Sequence, residues 1–196
     1  MRVYLAGPDV FLPDPLARAD ALRAVCASHG LVGVSPLDAL EGGDPPEWDR
    51  LAEPFRIARR NEAHIASCDA LVANLTPFRG PSADAGTLFE LGYMRALGRP
   101  VFGWSNCAVP FAARSLAFCG KDARRGGDGW RDGEGMLLED FAPLADNLMI
   151  DGAIAASGGV LITRDLPRAM VWISLDAFAE CIAAVVQVQE RKRVLF

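Results

Sequence analysis

Residues 70–105 read ALVANLTPFRGPSADAGTLFELGYMRALGRPVFGWS. The stretch opens on ALVANL (70–75), a short and almost continuous apolar run, and closes on PVFGWS (100–105), a second one. Runs of this kind predict strands buried on both faces. Between them GTLFELGYMRALG (86–98) carries helical spacing. A strand, a helix and a strand in so few residues form a βαβ unit, which requires parallel strands. The same rhythm extends towards the N-terminus. VYLAG (3–7) predicts a strand, and PLARADALRAVCASHG (15–30) predicts a helix closed by a glycine. LVGVSP follows as a strand, and residues 47–69 are helical in their later part, with Pro54 as start or break. The chain is therefore expected to form one α/β domain over 1–196, an open doubly wound parallel sheet of flavodoxin or Rossmann type. Ligands of such sheets lie beyond the carboxyl ends of the strands.

Beyond Ser105 the rhythm breaks. Residues 105–141 contain the Gly- and Asp-rich run KDARRGGDGWRDGEGMLLEDF and read as an irregular excursion, a functional loop or flap. DNLMIDGAIAAS (146–157) predicts a helix with Asp146 or Asn147 near its cap, and SLDAFAECIAAVVQVQERK (174–192) a terminal helix capped by Ser174. GGVLITRDLPRAMVWI between them reads either as a fifth strand or as a loop.

Composition narrows the chemistry. With 196 residues, 51% of them apolar, the chain can bury one sizeable core. A net charge of −5 with only 20 Lys and Arg argues against nucleic acid as the main partner. Arg59-Arg60 reads as a solvated helix face. The opening MRVYLAGPDV lacks the apolar core of a secretory leader, and no run reaches membrane-spanning length, so a cytoplasmic protein without a membrane partner is expected. Cys26, Cys68, Cys107, Cys119 and Cys181 show no CxxC spacing and read as small buried apolar residues, not disulfides or zinc ligands. GxGxxG after the first strand and GxxxxGK[ST] are both absent. DGWRDGEG does not meet the EF-hand spacing. The two histidines, His29 and His64, sit in helical context without a placed partner and read as structural.

What remains is a polar set at the carboxyl edge: Tyr4 and Gly7 on and after strand one, Asn74, Arg79 and Gly80 after strand three, then Asp84 and Glu90. Glu90 stands in a helix that is apolar almost all round through Leu88, Phe89, Leu91, Tyr93, Met94 and Leu97. Its helical neighbours Gly86, Thr87, Tyr93 and Met94 carry no charge to neutralise it. A helix N-terminus capped by Asp84 favours the ionised carboxylate and offsets part of its desolvation. Spacing leaves two readings open. Asp84 is a cap and Glu90 a partner for a buried tyrosine such as Tyr4, or the two are a reactive pair.

Four segments carry a resemblance: VYLAGPDVF, NEAHIASCDALVANLTPFRGPSADAGTLFELG, GRPVFGW and EDFAPLADNLMI. In this order, across most of the chain, they resemble the nucleoside 2-deoxyribosyltransferases. The resemblance implies transfer of a 2-deoxyribosyl group between nucleobases by a retaining double displacement, with Glu90 as the nucleophile that forms a covalent intermediate. It implies Asp84 as proton carrier, Tyr4 as the group that holds Glu90, deoxynucleosides and free nucleobases as partners, and neither cofactor nor metal. Gly7, Phe11, Asn61, Arg79 and Gly80 are the further substrate-binding candidates. Phe11 either stacks on the base or packs its loop. Asn61 stands where some members carry an aspartate that contacts the base, a departure that changes the hydrogen-bonding pattern offered. Asn147 and Met149 match residues that reach a neighbouring subunit's site, which implies a homo-oligomer, a dimer or an assembly of dimers. Some members end on an aromatic residue whose carboxylate helps orient the site; Phe196 of RKRVLF is assigned no role. Two alternatives stay open: hydrolysis of the same bond in a nucleoside or nucleotide, disfavoured for nucleotides by the acids of PDVFLPDP, and nucleoside binding without turnover.

Overall fold

In the computed structural model, which describes residues 1–141 and 143–194, the chain runs through seven strands and six α-helices. These are β1 (Arg2–Ala6), α1 (Pro15–Ser28), β2 (Val32–Val34), α2 (Glu53–Ser67), β3 (Ala70–Asn74), α3 (Ala85–Ala96) and β4 (Val101–Ser105), then α4 (Phe111–Cys119), β5 (Arg124–Gly126), β6 (Gly129–Arg131), α5 (Leu148–Ala156), β7 (Leu161–Thr163) and α6 (Asp176–Val194). Phe196 lies outside the described residues.

Five strands pair in parallel in the order β2-β1-β3-β4-β7. The chain leaves β1 towards β2, then returns past β1 to β3, so the loops after β1 and β3 depart to opposite sides. That reversal opens the crevice at which doubly wound sheets bind ligands. The period-two alternation of the strands divides the core in two. Val3 and Leu5, Ala70 and Val72, Phe102 and Trp104 face α1 and α6. Tyr4 and Ala6, Leu71 and Ala73, and Val101 face α2, α3 and α5. This is the single doubly wound α/β domain expected, and the alternation decides that Tyr4 projects towards α3.

Local chemistry sets the helix ends. Asp14 Oδ1 accepts the Ala17 amide at 3.0 Å with Pro15 in the first turn, and Gly30 follows α1 with φ +71°. Pro54 lies in the first turn of α2, so it is a start and not a break. Asn147 caps α5, its Oδ1 accepting the Met149 amide at 3.0 Å.

Several expectations are corrected. The excursion 105–141 is not irregular throughout: it contains α4 and the antiparallel hairpin β5–β6, turned by Gly127-Asp128. The ambiguous segment holds a strand, β7, paired to β4. Ser174 stands one position ahead of the cap of α6, although its hydroxyl still accepts the Asp176 amide at 3.2 Å. Arg60 is not a freely solvated cation, because it grips Asp44 through Nε at 2.9 Å and Nη2 at 2.5 Å. All five cysteines are free, but only Cys26, Cys68 and Cys181 are buried; Cys107 and Cys119 are partly exposed. Among the described residues no helix is long and apolar enough to cross a membrane.

Gly159 leads into β7, where an added Cβ would collide with the Val101 carbonyl oxygen, a backbone atom that cannot swing away. Gly159→Ala is expected to lower unfolding free energy by about 2–3 kcal/mol. Gly92, in α3 with open space around it, is expected to respond oppositely: Gly92→Ala raises stability by about 0.5–1 kcal/mol. Urea denaturation of both variants checks the pair of signs.

Candidate active site

A tyrosine on a central strand brings its hydroxyl into the core and needs a partner there. Tyr4 has no exposed surface, and its hydroxyl donates to Glu90 Oε1 at 2.7 Å. Asn61 of α2 approaches the same oxygen, its Nδ2 at 3.5 Å, the outer limit of a hydrogen bond. The Asn61 Oδ1 is buried and has no partner among the described residues. Three elements, β1, α2 and α3, thus meet at Glu90 Oε1. The other carboxylate oxygen, Oε2, takes no hydrogen bond among the described residues and is available for chemistry.

Asp84 caps α3. Its Oδ2 accepts both the Thr87 amide at 3.0 Å and the Thr87 hydroxyl at 3.2 Å. Both bonds use one oxygen, so capping leaves Oδ1 without a partner among the described residues. The cap reading and the reactive reading are therefore compatible on one carboxyl.

Burial pushes the Glu90 carboxyl up to about 7, against the hydrogen bond from Tyr4, which lowers it; the charge of Asp84 adds to the rise. The helix N-terminus, from which the sequence expects stabilisation of the anion, is too far away. Glu90 is the sixth residue of α3, and the dipole's influence fades after the first turn. Burial and the Glu90 charge together hold the Tyr4 hydroxyl protonated, far above the ordinary phenol range. Tyr4 therefore remains a donor.

The loop after β1 is anchored beside this site. Asp9 is buried and ion-paired, Oδ1 to Arg18 Nε at 2.8 Å, while Asn74 Nδ2 donates to its Oδ2 at 2.8 Å. Gly7 lets these groups approach: an added Cβ would come within 2.6 Å of Asp9 Oδ2 and 2.8 Å of Asn74 Cβ. The acids of PDVFLPDP are thus already engaged, Asp9 with Arg18 and Asp14 as a helix cap. The charge argument against a nucleotide therefore no longer rests on Asp9 and is carried by Asp14, which has no cation paired to it among the described residues.

A second cluster stands on the loops after β1, β3 and β7. Phe11 stacks on Phe78 with centroids 5.5 Å apart and planes at 11°, Trp172 meets Phe78 edge-on, and the Arg79 guanidinium lies 4.5 Å from the Phe78 centroid and 5.2 Å from that of Phe11. Arg79 is held at φ +56°, the left-handed region. With Pro8, Leu12 and Pro77 these residues line a cleft of about 290 Å³. Phe11 does pack its loop, yet it remains 57% exposed, so one face stays accessible. Gly80 follows in open space.

Asn147 and Met149 do not join Glu90 within this chain. The Asn147 amide donates to Glu139 Oε2 at 2.6 Å in addition to capping α5, and Met149 is 68% exposed. His64 Nε2 lies 3.0 Å from the Asp38 carbonyl and His29 Nδ1 3.0 Å from that of Val25, as structural residues would. No group of metal-binding side chains occurs among the described residues. Sequence reasoning did not find Asp9, Arg18, Phe78 or Trp172. Their partners lie up to 155 positions away, and no local pattern marks such pairings.

A carboxyl whose folded value stands above its ordinary value binds its proton more tightly in the folded state. Its ionisation therefore lowers stability as pH rises from about 4.5 through about 7. Glu90→Gln, which keeps an acceptor for Tyr4 without the charge, is expected to be more stable than the parent at pH 8 by about 1–3 kcal/mol, and nearly equal to it at pH 4.5. Urea denaturation at the two pH values tests this; a variant weaker at pH 8 contradicts the placement of the charge.

The nucleoside 2-deoxyribosyltransferase family model matches residues 3–149, a span that takes in β1 from Val3 on, the Asp84–Glu90 region and Asn147 to Met149. An uncharacterised protein of Schizosaccharomyces pombe is 34% identical over 168 residues, covering 80% of this chain and 78% of that one. The 2-deoxyribosyltransferase of Leishmania mexicana superposes with a TM-score of 0.61 at 29% identity, over 93% of this chain and 97% of that one. A conserved protein of Enterococcus faecalis shares the fold, with a TM-score of 0.52, 20% identity and coverage of 93% and 97%. The chain belongs to the nucleoside 2-deoxyribosyltransferase family.

Proposed function

We propose that the protein moves a 2-deoxyribosyl group from one nucleobase to another through a covalent intermediate on Glu90. The observation that carries this reading is the asymmetry of the Glu90 carboxylate: Tyr4 and Asn61 both address Oε1, and Oε2 takes no hydrogen bond among the described residues. In the first half-reaction Oε2 attacks C1′ of the deoxynucleoside. The bond from C1′ to the base nitrogen breaks with its electron pair going to the base, and Asp84, which holds the one proton of the Glu90–Asp84 pair when Glu90 attacks, supplies the proton the base takes up. In the second half the incoming base attacks C1′, the glutamyl ester bond breaks, and the proton returns to Asp84. Two displacements at one carbon retain its configuration. No cofactor enters the balance.

Tyr4 keeps Oε1 in place and withdraws charge from it by its hydrogen bond, which leaves the carboxylate a better leaving group in the second half. The cleft of Phe11, Phe78, Trp172 and Arg79 offers flat apolar surface and a cation to a base, with Gly7 and Gly80 permitting close approach of backbone. Asn61 Oδ1 offers an acceptor to a donor on the substrate. Asn147 and Met149 serve a neighbouring copy's site in a homo-oligomer, and the protein works in the cytoplasm on salvaged nucleosides.

Incubation with 2′-deoxyinosine and adenine is expected to yield 2′-deoxyadenosine and hypoxanthine. Glu90→Ala abolishes the exchange, and a slow 2′-fluorinated deoxynucleoside leaves the mass of its sugar on the peptide carrying Glu90. Free deoxyribose without deoxyadenosine would make the protein a hydrolase, and binding without turnover a sensor.

Attack requires the ionised carboxylate, so kcat/KM is expected to fall as pH drops through about 7, where Glu90 takes up its proton; this is the rising limb of the profile. Tyr4→Phe removes the hydrogen bond that lowers this value. The rising limb should move to higher pH, with a loss of about tenfold at pH 7. A limb that stays in place excludes Tyr4 as the group that tunes Glu90.

A further inference from the structure

Asp146 is a fully buried carboxylate with contacts to two loops that the sequence keeps far apart. Its Oδ1 accepts the Ser82 hydroxyl at 2.5 Å and the Asn147 amide at 2.8 Å. Its Oδ2 accepts the Ala83 amide at 2.9 Å and lies 3.6 Å from Arg114 Nη2. Arg114, itself nearly buried, donates through Nε to the Pro81 carbonyl at 2.7 Å and through Nη2 to the Ala145 carbonyl at 2.7 Å. Pro81, Ser82 and Ala83 are consecutive residues, and each is gripped by one of these two side chains. Asp84 comes next.

The first half of the loop between β3 and α3 is held elsewhere, Thr76 by Asn106 and Phe78 and Arg79 by the aromatic cluster. In its second half Phe78 N–H donates to the Ser82 carbonyl at 3.0 Å, and the remaining side-chain grips on residues 81–83 come from Asp146 and Arg114. A carboxyl can serve as a proton carrier only if its free oxygen is kept within hydrogen-bond reach of the base nitrogen. At Asp84 the cap fixes one oxygen against Thr87, so the direction of the other follows from the backbone at 81–84.

We propose that Asp146, with Arg114 as its counter-charge, is a positioning residue that sets the reach of Asp84 towards the departing base. The inference rests on the proposed role of Asp84. Its buried charge is justified by the number of donors that converge on it, since a carboxylate with three hydrogen bonds and a guanidinium is satisfied where an amide would not be. One consequence concerns α5. The oxygen that receives Ser82 also receives the Asn147 amide, so the acid's loop and the α5 N-terminus are tied to the same atom.

The test varies the leaving group. An ordinary purine needs a proton to depart, whereas 7-methyl-2′-deoxyguanosine already carries the positive charge that protonation would supply, and its base leaves as a neutral species. Asp146→Asn is expected to lower kcat for 2′-deoxyinosine by about 10- to 100-fold with KM changed about threefold or less, and to lower it about threefold or less for the 7-methyl substrate. Equal losses on both substrates overturn the proposal, because general loosening of the site does not distinguish leaving groups. Ser82→Ala removes one donor and leaves the ion pair intact, so it answers the same question if Asp146→Asn does not fold: a loss of about two- to fivefold confined to deoxyinosine is expected, and an equal loss on both substrates counts against the proposal.

A readout independent of turnover separates this inference from the proposed function. Hydrogen exchange at the Thr87 amide, which Asp84 caps, should speed up in Asp146→Asn while the Val72 amide in β3 keeps its protection. If the parent protein moves no sugar from either substrate, the deoxyribosyl reading fails, and unchanged Thr87 exchange would then remove the positioning role as well.

Discussion

The hydrogen bond from Tyr4 to Glu90 joins the middle of the sheet to the helix that carries the proposed nucleophile. Everything placed around it depends on two facts of backbone geometry. Period-two alternation turns Tyr4 towards α3 while Val3 and Leu5 turn away, and parallel pairing of β1 with β3 brings the start of α3 over that same face. A slip of one residue in β1 would put Tyr4 among α1 and α6, parting its hydroxyl from Glu90 and leaving the carboxylate only the long contact from Asn61. Register is therefore a condition of the chemistry as well as of the core.

The site also illustrates a conflict between folding and reactivity. Burial raises the affinity of Glu90 for its proton, and the second carboxyl, Asp84, works in the same direction. A hydrogen bond from Tyr4 opposes them, and the balance falls near neutral pH, where a useful fraction of anion coexists with poor solvation. Poor solvation leaves the anion more reactive towards an electrophilic carbon than a fully hydrated one would be. The rest of the structure supplies the stability that such a charge removes, through two continuous apolar layers on either side of the sheet.

Polar groups under the carboxyl edge are arranged in pairs that span loops. Asp9 with Arg18 and Asn74 fixes the loop after β1, and Asp146 with Arg114 fixes the loop before α3. Each is a buried carboxylate whose charge is met by an arginine and whose remaining lone pairs are met by neutral donors, the condition under which a buried ion is tolerated. Rigid loops follow, and rigid loops are what hold small groups within tenths of an ångström of a reacting atom.

The layout was legible in the sequence wherever the information is local. Apolar runs at 3–7, 70–75 and 100–105 became β1, β3 and β4, the helical spacings became α1, α2, α3, α5 and α6, and the isolated charge of Glu90 in an apolar helix marked the carboxyl on which the proposed site is built. The hairpin β5–β6 and the strand β7 were not legible in the sequence, because RRG and GWR hold no apolar run and LIT of β7 is followed by further apolar residues, AMVWI, that form no strand. The sequence by itself determined which side chains are apolar, which segments bend and where an unpaired carboxyl stands, since these follow from residue chemistry within a turn or two of chain. Only the tertiary structure brought together the Tyr4–Glu90 pair that the sequence offered as a candidate, met Asp9 and Asp146 with arginines, and left one oxygen of Glu90 without a hydrogen bond among the described residues. Those pairings join residues up to 86 positions apart in the case of Tyr4 and Glu90, and a hydrogen bond across such a gap exists only once the sheet's register has closed the distance.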